Sequence, residues 1–170
     1  MKLTMTDVNA MSHEAFVARF GGVAEHAPWV AEQAAAARPF ADRGAMIAAF
    51  VSEVTAAGRD RADALLRAHP DLAGKAALAG TLTRASTDEQ RGAGLDALTA
   101  DELARFTSLN AAYRRRFGFP FILAVRGATK TQILEAFEER VERSPEVERA
   151  TALEQVCRIV GFRIEDAVAA

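Results

Sequence analysis

One cysteine, Cys157, is too few for an intramolecular disulfide or a cysteine-rich metal site. It lies on the apolar side of a helical pattern, so it reads as buried filler rather than a nucleophile. No apolar run approaches the roughly 18 residues that a membrane-spanning helix needs. The start, Met1 to Asp7, lacks the apolar stretch of a secretory signal. A soluble, intracellular protein is therefore expected. Neither sign of charge dominates: 21 Lys and Arg interleave with 23 Asp and Glu, for a formal net charge of −2. That balance gives no electrostatic case for nucleic acid. The one basic run, Arg114-Arg115-Arg116, falls late in a predicted helix, where it suits the C-terminal dipole.

Several catalytic signatures are missing as well. There is no His-Glu-x-x-His pattern and no pair of histidines at helical spacing, so no metal site is expected. Gly92-x-Gly94 lacks the third glycine and preceding strand of a dinucleotide fingerprint, and there is no Gly-x-Ser-x-Gly elbow. What is left for an enzyme is acid/base and electrostatic chemistry on side chains, without a cofactor.

What is present reads as helix after helix. With 50% hydrophobic and 26% charged residues over 170 positions, the chain has ordinary globular composition, expected to form one domain over 1–170. Ser12 caps a segment carrying Phe16 and Phe20 that Gly21-Gly22 ends, and Pro28 opens a second over 29–37 that Pro39 stops. Further helices are predicted over about 43–57 and 60–68, with a short turn near 75–79. Ser86-Thr87-Asp88-Glu89 has the form of a capping box opening a short helix, and Thr99-Ala100-Asp101-Glu102 repeats it before a long one. Residues 131–143 form another helix. Ser144-Pro145 starts the last, with Val147, Leu153, Val156, Val160 and Ile164 as its core stripe. Only the apolar stretch near 118–126 has strand character, and it has no partner. An extended buried segment among helices is therefore expected, in an all-α multi-helix bundle.

Three residue groups carry candidate chemistry. His13 and His26 lie near predicted helix ends with surface or capping roles, whereas His69 ends a helix immediately before Pro70, with Asp71, Gly74 and Lys75 close behind. Histidine is the side chain suited to proton transfer near neutral pH. Ser86 and Glu89 have two readings that can hold together: a helix cap, and an anion-favouring helix start to which Gln90 adds a donor and acceptor. Trp29 and Phe40 suit either core or interface.

The segments His69-Pro70-Asp71-Leu72-Ala73-Gly74, Ser86-Thr87-Asp88-Glu89-Gln90 with Ala93-Gly94-Leu95, Leu109-Asn110 with Tyr113, and Arg116 to Ile122 occur in that order. With Trp29, Arg38-Pro39-Phe40 and Arg163, they resemble 2-oxo-4-hydroxy-4-carboxy-5-ureidoimidazoline (OHCU) decarboxylases across nearly the whole chain. The resemblance implies an all-α lyase of uric acid (purine) degradation. It would decarboxylate OHCU to (S)-allantoin and carbon dioxide without a cofactor. It implies His69 and Glu89 as catalytic residues. Substrate would be bound by Pro70, Ser86, Gln90, Phe121, Ile122, Leu123, Ala124, Val125 and Arg163. Its bacterial members imply a cytoplasmic protein, and a homodimer is plausible by the same likeness. A helical binding module that lost the chemistry, and a lyase acting on another ureido acid, are the rival readings.

Overall fold

A computed structural model describes residues 1–170. It contains ten α-helices, one 3-10 turn and no strand beyond a single bridge between Leu3 and Val168. The helices are α1 (Met5–Ala10), α2 (His13–Phe20), α3 (Trp29–Ala34), α4 (Arg43–Ala56), α5 (Arg59–Arg67), α6 (Lys75–Leu78), α7 (Arg84–Gly92), α8 (Ala100–Phe117), α9 (Lys130–Arg140) and α10 (Pro145–Ala167). No helix is long and apolar enough to cross a membrane. The all-α architecture is the one that the helical periodicity predicts.

Local chemistry explains most of the helix starts. Ser12 accepts from the Ala15 amide, Asp42 from Ala45, and Thr99 forms a reciprocal capping box with Glu102. Thr129 does the same with Gln132, so α9 begins slightly earlier than the sequence suggests. Helix α1, with its Thr4–Asp7 capping box, escapes the sequence pattern because a six-residue helix offers too few apolar positions to show a period.

The helices gather into two compact units, residues 1–68 with 156–170, and residues 69–155. In the first, Phe16 sits among Phe20, Phe40 and Phe50, with ring centroids 5.0 to 6.1 Å apart. Phe40 is thus core, while Trp29 is half-buried beneath the Arg61 guanidinium.

In the second unit, Tyr113 of α8 is fully buried among Phe117, Phe119, Phe121 and Phe137, and Phe121 stacks on Phe137 at 3.9 Å. Fully burying one such ring is worth about 1.5–3 kcal/mol. Such burial helps hold the run from Phe119 to Val125 inside the unit although it pairs with no strand, while Gly118 and Arg126 at its ends are exposed. The last helix departs from its predicted stripe at the start: Val147 is exposed, and Glu148 and Ala152 take the inward positions. Cys157 is half-buried rather than buried.

Glu148 accepts a 2.5 Å hydrogen bond from the Tyr113 hydroxyl. Burial first, then the bond to Glu148 and its charge, raise the Tyr113 phenol well above its ordinary 10.0. The folded chain therefore keeps a proton that the unfolded chain releases near pH 10. This stabilisation is complete below about pH 10 and is lost as pH rises further. Urea unfolding between about pH 9 and 11 should show stability falling on the alkaline side. Tyr113→Phe should flatten that fall; an equal fall in both proteins would assign it elsewhere.

Candidate active site

His69 follows α5 at a point where Pro70 rules out continued helix. It is 6% exposed. The next residues fold into a turn held by side chains from two helices. Gln90 of α7 accepts from the Ala73 amide at 3.0 Å and donates to the Asp71 carbonyl at 3.3 Å. Asn110 of α8 donates to the Leu72 carbonyl at 2.9 Å, and Arg114 pairs with the Asp71 carboxylate at 2.8 Å. The ion pair is well exposed, so it is worth about 0–1 kcal/mol. The buried bonds matter more, because removing one partner strands a polar group at a cost of about 1–3 kcal/mol. Gly74 completes the turn: a Cβ there would meet the Asp71 Cβ at 2.6 Å.

Helix α7 does not begin with the predicted Ser86 capping box. It starts one turn earlier, with Thr83 as N-cap accepting from the Ser86 amide at 3.3 Å. Ser86 is the third helical residue and is buried. The correction separates the two readings of this run. Ser86, Glu89 and Gln90 stand at i, i+3 and i+4, so they share one helix face. Ser86 and Gln90 are buried and Glu89 is half-buried. Gln90 is the member already engaged with the His69 turn.

The segment Phe121 to Val125 is held by side chains where a sheet would use a neighbouring strand. The Arg140 Nη1 donates to the Ile122 carbonyl at 2.7 Å, and the Ala124 amide donates to the Gln155 Oε1 at 3.0 Å. The Ala128 amide closes the end on the Val125 carbonyl at 3.0 Å. Leu123 lies between these clamps and is half-buried, while its four neighbours in the segment are buried. The Ala124 amide is already committed.

Helix α8 mounts both parts. Asn110 reaches the His69 turn, and one turn later Tyr113 packs on Phe121 at 5.6 Å. His69, Pro70, Ser86, Glu89, Gln90 and the 121–125 segment therefore all belong to the second unit. Arg163 belongs to the first, where its Nη1 donates to Glu25 Oε2 at 2.7 Å and to the Val23 carbonyl at 3.3 Å. No group of three His, Cys, Asp or Glu side chains is placed to hold a metal ion. His26 is exposed beside Glu25, and His13 opens α2.

Sequence reasoning misses Arg140, Glu148, Gln155 and the two α8 residues Asn110 and Arg114 as supports. A signal exists for three of them. Arg140 continues the buried Ile133–Phe137 stripe, and Glu148 and Gln155 flank the buried Ala152, so each is a polar residue at a core position of a helix.

A family model described as OHCU decarboxylase matches residues 9–165. The chain is 41% identical over 169 residues to a 2-oxo-4-hydroxy-4-carboxy-5-ureidoimidazoline decarboxylase of Amia calva, covering 98% of this chain and 95% of that one. Among solved structures, an (S)-allantoin synthase superposes with a TM-score of 0.79 at 35% identity, over 98% of this chain and 54% of the other. An OHCU decarboxylase crystallised in the presence of (S)-allantoin shares the fold, with a TM-score of 0.68 at 22% identity over 92% and 97% of the two chains.

Proposed function

Because the chain belongs to the OHCU decarboxylase family, we propose that its carboxy-lyase reaction is carried by His69 working over the Ser86–Glu89–Gln90 face. The reaction is decarboxylation of OHCU to allantoin, a step of uric acid degradation. One observation supports this placement above others. Gln90 donates to the Asp71 carbonyl and accepts from the Ala73 amide, and these two bonds tie the His69 turn to the helix that bears Ser86 and Glu89.

The substrate brings its own electron sink. As the carboxylate leaves as carbon dioxide, its bonding pair forms a double bond to the neighbouring ring carbon. The former C=N pair moves to nitrogen, which takes a proton. The resulting enol then gives up its hydroxyl proton while the carbon that bears the ureido group gains one. One proton is consumed overall, and delivery to a single face sets (S) handedness. The protein needs to orient the carboxylate, stabilise the developing charge and move these protons. His69 holds the carboxylate and assists proton transfer, and Glu89 orients His69 or the substrate hydroxyl. Pro70, Ser86 and Gln90 position the ring, with the Phe121 to Val125 backbone for the ureido arm. Arg163, a cytoplasmic setting and a homodimer enter the proposal on the family resemblance.

The test is to add pure protein to freshly generated OHCU and follow allantoin by circular dichroism, with and without exhaustive chelation. Rapid formation of one enantiomer under both conditions is expected. A racemic product at the uncatalysed rate would overturn the reading, and loss of activity rescued by a divalent metal would overturn its cofactor-free form.

A further inference from the structure

We propose that Asn110 is a positioning residue for His69, acting by fixing where the His69 turn sits relative to the 121–125 segment. The inference rests on the catalytic reading of His69 and adds a residue which that reading leaves without a role. Asn110 is 7% exposed, and its amide crosses 38 positions of sequence to donate to the Leu72 carbonyl at 2.9 Å. Its own Oδ1 is buried with no hydrogen-bond partner. A buried amide that leaves one end unsatisfied is costly as mere core filling, so the Leu72 bond is what the side chain contributes.

The turn needs such a tie. Ala73 is buried with φ +50°, a left-handed conformation that a residue with a Cβ rarely adopts. Such geometry persists only where the surroundings over-determine it. Gln90 grips the turn at Asp71 and Ala73, but both bonds come from α7, so by themselves they would let the turn tilt as a body about that helix. The Leu72 bond is the buried link from the turn to α8. Three residues on, α8 packs against Phe121 through Tyr113. Asn110 thereby sets the separation between His69 and the 121–125 segment, the two places where opposite ends of a substrate would be held.

Asn110→Leu removes the amide at similar volume, and Asn110→Asp keeps the shape while losing the Nδ2 donor. Each should lower kcat by about tenfold to a hundredfold, as displacement of a reacting group by about 1 Å does, with KM changed far less. A second readout needs no substrate. The chain has three histidines, so the His69 imidazole resonance can be assigned by its loss in His69→Asn. In the Asn110 variants that resonance should shift or broaden while those of His13 and His26 stay in place. An unmoved His69 resonance in a folded variant overturns the proposal. So does loss of cooperative unfolding in both variants, which would make Asn110 a residue of the core. A moved resonance with unchanged kcat upholds the positioning and overturns the catalytic reading of His69 on which it rests.

Discussion

His69→Ala is expected to lower kcat for allantoin formation by about 10²-fold or more while the chain still folds, the loss typical of an acid/base group. The imidazole is buried beside a turn held by Gln90 and Asn110, so its removal leaves the backbone supports in place. His69→Asn adds a discrimination. Asparagine can still donate a hydrogen bond to a carboxylate, but it cannot carry a proton at neutral pH. If His69 only holds the carboxylate, Asn should recover much of what Ala loses. If it moves the proton, both variants should fall together. Initial rates by circular dichroism, corrected for uncatalysed decarboxylation, decide between these, with thermal unfolding as the control. Near-wild-type turnover by His69→Ala in the presence of a normal fold would remove His69 from the mechanism.

The largest loss of stability is expected at Arg140. Its guanidinium is 4% exposed over the Phe121 ring, pairs with the fully buried Glu148 through Nε at 2.6 Å, and donates to the Ile122 carbonyl. Arg140→Met leaves the Glu148 carboxylate buried without its countercharge, a change that costs about 3–5 kcal/mol. The pair itself is imperfectly satisfied. Glu148 Oε2 and Arg140 Nη2 have no hydrogen-bond partner, although Nη2 lies 2.5 Å from Glu148 Oε1. That contact has charge proximity without hydrogen-bond geometry. Replacing both residues, as Arg140→Met with Glu148→Leu, should therefore recover part of the single-variant loss. Denaturant unfolding of the two singles and the double closes the cycle. Additive losses would mean that the pair does not act as a unit. Activity should not recover in parallel, because the double variant still lacks the donor to Ile122.

Much of this chain was determined locally. Ser12 and Thr99 satisfy amides within three residues of themselves, and the apolar period of a long helix such as α8 is written in adjacent turns, so both were legible. The His69-Pro70 break and the lone extended run near 118–126 were legible for the same reason. Tertiary packing decided the rest. Helix α7 starts from Thr83 rather than from the Ser86 box, and Ser86 is buried within its first turn. Val147 and Glu148 compete for the inward position of α10, and the Tyr113 hydroxyl and Arg140 draw in the acid. The ties that turn a histidine before a proline into a held site come from Gln90, Asn110, Arg140 and Gln155, across 17, 38, 18 and 31 positions. Spacing along the chain carries no information about such bonds, because nothing local favours them until the helices that bear them have packed.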